Sequence, residues 1–217
     1  MNLELQMQLI SPELENYCVQ HSSRISELAR ELMDFTRNQV HGSNMLIGEL
    51  EASVLIFFIR LLKVRRVLEL GTYTGFSALI MAEAMPDDGE LISLDLNPET
   101  TRLAQSFWDR SAHGKKIHHK LGPALESLKG LSGEFDLIFI DADKNNYSEY
   151  LLWGLKHLSP KGLIITDNTL WSGKVLTPGL DKQTDSIRAH NRLASELKGY
   201  CTSLLPLRDG MMLITRV

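Results

Sequence analysis

The sequence predicts an α/β protein with a seven-stranded mixed sheet, helices on both faces, a C-terminal antiparallel hairpin and a helical N-terminal extension. Three observations support this fold class. Apolar residues recur at helical spacing as far as Lys63, short β-rich runs then alternate with helical stretches, and the chain ends in two β-like runs joined by a short loop. A length of 217 residues suits one domain, so we expect 1–217 to form a single unit with 1–63 packed on its core.

The N-terminal extension has the signals of capped, amphipathic helices. Ser11-Pro12-Glu13 places an N-cap residue before a proline at the first helical position, and Gly42-Ser43-Asn44 separates two later helices. Apolar residues at helical spacing mark one helix face with Ile25, Leu28, Ala29 and Leu32, and another with Leu50, Val54, Phe57, Phe58 and Leu61.

After Lys63 the predicted strands and helices alternate. The sequence predicts parallel strands at 66–70, 91–94, 117–121, 137–141 and 163–167, and helices at 75–85, 98–112, 124–129, 147–158 and 184–197. Turn-forming residues separate them, including Ser159-Pro160-Lys161-Gly162. Two further runs, 201–205 and 211–215, flank a loop containing Asp209-Gly210, which predicts the hairpin.

The composition excludes several classes of protein. The chain has 23 basic and 27 acidic side chains and a formal net charge of −4, whereas nucleic-acid-binding proteins usually carry a strongly basic face. Its longest apolar run, 52–59, is far shorter than the roughly 20 residues of a membrane span. The start, Met1–Leu5, lacks the basic region of a signal peptide. We expect a cytoplasmic protein that binds a small molecule, with neither a nucleic-acid nor a membrane partner.

A glycine-containing loop follows the first predicted strand, where open α/β sheets bind their ligands. Its spacing is Gly-x-x-x-Gly, with Gly71 and Gly75, and Tyr73 stands where a dinucleotide-binding loop has its second glycine. This disfavours a nicotinamide-dependent oxidoreductase, which remains an alternative. Glu69 and Asp95, at the ends of two strands, suit the acidic acceptors that a sulfonium-bearing nucleoside needs, and Asp95 can accept hydrogen bonds from two ribose hydroxyls. The same acids could instead end strands and cap helices, and an acid after the second strand also fits a nicotinamide cofactor.

Polar residues also follow two later strands. Asp141 and the pair Asp167 and Asn168 are expected at the same edge of adjacent strands, where oxygen ligands favour a hard divalent cation such as Mg²⁺. The alternative is that the acids cap the following helices. Lys144, three residues after Asp141, is placed either to act as a general base or to form a salt bridge with an acid.

Five segments carry a resemblance to a known family: 69–77, 122–125, 141–147, 167–171 and 209–211, with the sequences ELGTYTGFS, GPAL, DADKNNY, DNTLW and DGM. In this order and spacing they resemble the cation-dependent O-methyltransferases, which include the caffeoyl-coenzyme A and catechol enzymes. Tyr17, His21, Ser22 and Arg24 are similar to the N-terminal helix of bacterial members. The resemblance implies a Rossmann-like fold, S-adenosylmethionine as cofactor, and methyl transfer to a catechol-like, vicinal dihydroxy aromatic acceptor.

The resemblance also implies roles for individual residues. Asp141, Asp167 and Asn168 would hold Mg²⁺ or another hard divalent cation, and Lys144 and Asp141 would be catalytic. The cofactor would contact Met45, Glu69, Gly71, Thr72, Ser77, Asp95, Ala124, Asp141, Asp143 and Tyr150. The N-terminal helices would cover the acceptor site and form a homodimer interface, as in the family. A non-enzyme that keeps the fold for binding alone is disfavoured, because it has no reason to keep two acids and an amide at adjacent strand ends.

Overall fold

The computed structural model describes residues 10–217, so the predicted absence of a signal peptide at Met1–Leu5 falls outside the described residues. Its centre is a seven-stranded sheet in the order β3-β2-β1-β4-β5-β7-β6. The first five strands are parallel, whereas β7 is antiparallel to both β5 and β6. This confirms the mixed sheet and the C-terminal hairpin. The strands are β1 Arg66–Leu70, β2 Glu90–Asp95, β3 Ile117–Leu121, β4 Phe135–Ile140, β5 Leu158–Thr166, β6 Tyr200–Leu205 and β7 Met211–Arg216.

Helices cover both faces of the sheet. They are α1 Pro12–Gln20, α2 Glu27–Gln39, α3 Glu49–Leu62, α4 Phe76–Ala84, α5 Pro98–Trp108, α6 Ala124–Lys129, α7 Tyr147–His157 and α8 Lys182–Ser195. Successive strand residues point to opposite faces, so Val67 belongs to one apolar cluster and Leu68 to the other. The first cluster includes side chains of α2 to α5, and the second includes those of α6 to α8.

The N-terminal section is attached to the sheet domain through α2 and α3. Ser11 and Ser26 cap α1 and α2, since their hydroxyls accept the amides of Leu14 and Ala29 at 3.3 and 3.1 Å. The Ser26 hydroxyl also donates to Glu83 of α4 at 2.9 Å. None of the helices within residues 10–217 combines the length and apolar character needed to cross a membrane.

Several predicted boundaries need correction. The predicted turn at 159–162 lies inside β5, because Leu158 and Leu163 on either side of it both pair with β4, and a bulge absorbs the extra residues. The helix predicted at 184–197 begins at Lys182, since the carboxylate of Asp181 caps it by accepting the amide of Thr184 at 2.8 Å. The predicted strands 137–141 and 163–167 each end one residue earlier, which leaves Asp141 and Asp167 in loops.

Candidate active site

One large cavity, of about 1160 Å³, opens at the carboxyl ends of β1, β2, β4 and β5. The loops after these four strands line it, together with residues of the N-terminal section and the turn between β6 and β7. Of the residues with a predicted role, these line the cavity: Met45, Gly71, Thr72, Ser77, Asp95, Ala124, Asp141, Asp143, Lys144, Asp167 and Asn168. The predicted positions therefore converge at the sheet edge where α/β proteins bind ligands.

The loop after β1 requires glycine at two places. Gly71 has φ +97°, and a Cβ atom there would lie 2.0 Å from the backbone oxygen of Asp141. Gly75 has φ +82°, and a Cβ there would lie 2.6 Å from both Ala104 and the Trp108 ring. Glycine thus lets the β1 loop pass against the β4 loop and lets α4 begin against α5.

Glu69 lies beneath this loop rather than in the cavity wall. Its buried carboxylate accepts the hydroxyls of Ser77 and Ser93, each at 2.5 Å, and the Thr72 hydroxyl lies 2.5 Å from that of Ser93. Burial raises the pKa of Glu69 to about 8, although the hydrogen bonds from Ser77 and Ser93 oppose the rise. Glu69 therefore reaches the cavity through Ser77 and Thr72, both of which line it.

Glu69→Gln is expected to flatten the pH dependence of stability in the cofactor-free protein. Because the pKa of Glu69 is higher in the folded chain than its ordinary 4.5, the free energy of unfolding of the wild type falls as pH rises from 4.5 to about 8. At roughly 1.4 kcal/mol per pH unit, the fall is at most about 5 kcal/mol. Unfolding by denaturant at pH values from 5 to 9 measures this change in the free energy of unfolding. Glu126→Gln, on the exposed surface of α6, should keep the wild-type slope; an unchanged slope in Glu69→Gln would contradict the prediction.

Asp95 is fixed at the end of β2 by backbone amides. Its Oδ2 accepts the amides of Thr72 and Tyr73, both at 2.8 Å, and its Oδ1 accepts the amide of Asn97 at 2.8 Å. These three bonds hold the carboxylate at the cavity edge, with lone pairs left for further donors. This geometry suits recognition of a ribose, as the sequence predicts.

The predicted metal ligands meet around the side chain of Lys144. Its Nζ donates to Asp141 Oδ1 at 2.9 Å, to Asn168 Oδ1 at 2.6 Å and to the Tyr147 hydroxyl at 2.6 Å. All three ammonium protons are thereby used, so the structure has the salt-bridged form of Lys144. Burial raises the pKa of Asp167 well above its usual range, and the negative charges of Glu51 and Asp141 raise it further.

Tyr150, a predicted cofactor contact, lies outside the lining of the cavity. It is buried, and its hydroxyl donates to Asp143. Asn146 also donates to the Asp143 carboxylate, at 2.6 Å. Burial, and then the hydrogen bond to Asp143, raise the pKa of Tyr150. Tyr150 therefore orients Asp143, which does line the cavity.

Local sequence patterns do not predict two pairs of interacting residues at the cavity. Glu51 forms an ion pair with Arg208 at 2.6 Å, and Asp209 accepts the amide of Ser172. Glu51 offered a weak signal, because it is a charged residue directly before the apolar run 52–59. Arg208 offered none, since it lies 157 positions away in a polar turn.

Comparison with known proteins identifies the family. A family model described as O-methyltransferase matches residues 19–217. The probable caffeoyl-CoA O-methyltransferase 2 of Dictyostelium discoideum is 34% identical over 209 residues, which cover 93% of this chain and 90% of that protein. The catechol O-methyltransferase domain-containing protein 1 of Mus musculus is 34% identical over 222 residues, covering 98% and 84%.

Solved structures give the same result. The SAH-bound methyltransferase PaMTH1 of Podospora anserina has a TM-score of 0.86 and 29% identity, over 94% of each chain. The alternative of a nicotinamide-dependent oxidoreductase is therefore wrong. The chain belongs to the O-methyltransferase family, is related to the caffeoyl-CoA O-methyltransferases, and is a class I S-adenosylmethionine-dependent O-methyltransferase.

Proposed function

We propose that this enzyme methylates one hydroxyl of a vicinal dihydroxy aromatic compound, and that Asp141, Asp167 and Asn168 hold a hard divalent cation beside it. One observation carries the proposal: oxygens of Asp141 and Asn168 converge on a single positive charge, the ammonium of Lys144, next to the buried Asp167. Carboxylate and amide oxygens are the ligands that Mg²⁺ selects.

The donor set fits such a cation. Burial raises the pKa of Asp167, and the carboxylates of Glu51 and Asp141 raise it further. Arg208 pairs with Glu51, whereas Lys144 pairs with Asp141 within the set formed by Asp141, Asp167 and Asn168. Within residues 10–217 no three Asp, Glu, His or Cys side chains converge on one metal-sized position, so the amide oxygen of Asn168 is a necessary member of the set. When bound, the cation would supply the positive charge that lowers the pKa of an acceptor hydroxyl, ordinarily about 10 for a phenol.

The side chains around the cavity divide into two groups. The first group suits the nucleoside and amino-acid parts of S-adenosylmethionine: Gly71 and Thr72 follow β1, Ser77 lies in the first turn of α4, and Asp95 ends β2. Lys144 lies between Asp141 and Asn168, where, after releasing one of its own protons to solvent, it can take the proton of the acceptor hydroxyl. Positioning two reactants in one cavity supplies much of the remaining rate enhancement.

The acceptor side is bounded by Met45, Trp171 and Leu207, which give it apolar surface suited to an aromatic ring. The names of the relatives in Dictyostelium discoideum and Mus musculus include caffeoyl-CoA and catechol, and both compounds carry two adjacent hydroxyls on an aromatic ring. In its resemblance to the plant members of the family, the chain departs at Ser172, which follows the DNTLW segment where those members have asparagine. We therefore propose a small free diol rather than a coenzyme A ester as the acceptor.

Removal of divalent cations is expected to abolish methyl transfer. The assay follows labelled methyl from S-adenosylmethionine to 3,4-dihydroxycinnamate, with Mg²⁺ or with excess chelator, and re-addition of Mg²⁺ should restore the rate. A compound with a single ring hydroxyl is the matched control and should accept no methyl. Transfer that persists in chelator would contradict the role of Asp141, Asp167 and Asn168. If neither diol nor monohydroxy compound accepts methyl with Mg²⁺, the proposed acceptor class is wrong.

We also propose that the enzyme is a homodimer that uses the outer face of α3. Phe57 and Leu61, one turn apart on this helix, are 62% and 60% exposed. Leu204 of β6 is a further exposed apolar side chain. Large exposed apolar side chains on one face favour burial against a partner. Gel filtration should give the mass of two chains for the wild type and of one chain for Phe57→Glu; a monomeric wild type would contradict the proposal.

A further inference from the structure

The turn between β6 and β7, residues 206–210, contacts two walls of the cavity that are remote from each other in sequence. Its Arg208 reaches the wall formed by 43–51, which precedes and begins α3. Its Asp209 and Gly210 reach the wall formed by 168–172, which follows β5 and contains Asn168. Both walls line the cavity.

The contact with the first wall is an ion pair between Arg208 and a buried carboxylate. Glu51 is 1% exposed, and its Oε2 accepts the amide of Gly48 at 2.8 Å and Nη1 of Arg208 at 2.6 Å. The same Nη1 donates to the carbonyl of Leu46 at 3.2 Å. The arginine side chain also lies against Gly48, where a Cβ would come within 3.1 Å of Arg208 Cδ. One side chain thus fixes three positions of this wall.

The contact with the second wall is made by the backbone and by one carboxylate. The backbone oxygen of Asp209 accepts the amide of Leu170 at 2.7 Å, and that of Gly210 accepts the amide of Thr169 at 3.0 Å. The Asp209 carboxylate accepts the amide of Ser172. These bonds fix the segment that immediately follows Asn168, so the turn also determines where that amide oxygen lies.

The conformation of the turn is consistent with a positioning role. Arg208 has φ +44°, a left-handed conformation that costs a non-glycine residue about 1 kcal/mol or more. Such a conformation persists where surrounding contacts hold it, and here Glu51 and Leu46 do so on one side while Leu170 and Ser172 hold the next residue on the other. Glu51 and Arg208 line the same cavity as Met45 and Leu207, which bound the proposed acceptor side, so the ion pair belongs to the wall of that side.

We propose that the ion pair between Glu51 and Arg208 is a positioning element for the methyl acceptor, because it sets the separation of the walls 43–51 and 168–172 through the 206–210 turn. Neither residue reacts with the acceptor; both act through the segments that they hold. This inference rests on the proposed function, because it assigns the acceptor to the space between the two walls.

The kinetic test compares the KM of the acceptor with the dissociation constant of the cofactor. Arg208→Met leaves a buried carboxylate unpaired and can unfold the protein, so the decisive variant is Glu51→Gln with Arg208→Met, in which a neutral amide still accepts the Gly48 amide. We expect the KM for 3,4-dihydroxycinnamate to rise tenfold or more and the dissociation constant of S-adenosylmethionine to change less than threefold. Arg208→Lys, which keeps the charge, should recover part of the loss.

A matched control is the ion pair of Arg110 with Glu31, which also joins the N-terminal section to the sheet domain but is about half exposed. Arg110→Met should leave both constants unchanged, since exposed pairs contribute little. Equal losses of acceptor and cofactor binding in the double variant would overturn the proposal, because they would indicate a general loss of structure. An unchanged KM for the acceptor would also overturn it.

Hydrogen exchange distinguishes failure of this inference from failure of the proposed function. In the Glu51→Gln, Arg208→Met variant, the amides of Thr169, Leu170 and Ser172 should exchange at least tenfold faster, although none of them contacts either altered side chain. The amides of Thr72 and Tyr73, held by Asp95, should be unaffected. Unchanged exchange at 169–172 would overturn the coupling of the walls. If wild-type enzyme methylates no diol, the proposed function fails and exchange alone decides whether the turn couples the walls.

Discussion

Gly71→Ala is expected to destabilise the protein and to abolish methyl transfer at the same time. The new Cβ would lie 2.0 Å from the backbone oxygen of Asp141, so one of the two loops must move. Neither moves easily, because the Gly71 amide donates to Leu94 at 2.9 Å and the Asp141 amide donates to Leu70 at 2.8 Å. Overpacking together with a left-handed alanine should cost about 3 kcal/mol or more. The loop that moves carries either a proposed metal ligand or part of the cofactor site.

The comparison that isolates this clash is Gly179→Ala. Gly179 has φ +74°, similar to that of Gly71, but a Cβ there would meet nothing within 4 Å. It should therefore show only the conformational cost, about 1 kcal/mol, and retain transfer. Thermal unfolding and the transfer rate measure both variants. Equal loss of stability in the two would mean that backbone conformation, rather than the contact with Asp141, dominates at Gly71.

The sheet was predictable because strand and turn signals are local. Alternating faces and short apolar runs place β1 and β3 at their observed bounds, and Asp209-Gly210 marks the hairpin. The start of β5 was not predictable, because its segment 159–162 has the composition of a turn. Whether such a segment turns or remains extended depends on pairing with β4, which the sequence of the segment does not encode.

The candidate site was predictable to the extent that it depends on strand ends. Parallel strands bring their carboxyl ends to one edge, so Asp95, Asp141 and Asp167 could be placed together without any knowledge of side-chain direction. Directions were not predictable in the same way. Glu69 points beneath the loop toward Ser77 and Ser93, and Tyr150 points at Asp143, because packing of α4 and α7 on the sheet determines where these side chains lie.

The contacts of the β6–β7 turn lie beyond local sequence patterns altogether. Glu51 and Arg208 meet only because α3 and the hairpin lie on the same side of the cavity, and no periodicity links residues 157 positions apart. The two hydrogen bonds of Lys144, to Asp141 and to Asn168, differ in the same way in how far the sequence predicts them. Its salt bridge to Asp141 follows from their spacing, whereas its bond to Asn168 depends on β4 and β5 being neighbours in the sheet.

Asp141→Asn is expected to remove nearly all methyl transfer while leaving the protein folded. Asparagine has almost the same volume, and the backbone bond from residue 141 to Leu70 does not involve the side chain. What is lost is one of the two carboxylate charges in the proposed cation site and the ion pair with Lys144. Charge stabilisation by a bound cation contributes several kcal/mol, so the rate should fall by about 10³-fold or more.

The matched variant is Asp136→Asn, at the opposite end of the same strand. Its carboxylate accepts the amides of Arg65 and Arg66 at 2.9 and 3.1 Å and the Ser159 hydroxyl at 3.0 Å, far from the cavity. This variant should lose stability but transfer methyl normally while folded, whereas Asp141→Asn should stay folded and bind Mn²⁺ at least tenfold more weakly. If Asp141→Asn kept both transfer and Mn²⁺ affinity, its carboxylate would only pair with Lys144. Because Asp136 lies near the start of β4 and Asp141 directly follows its end, a difference in methyl transfer between the two folded variants reports on the surroundings of each carboxylate.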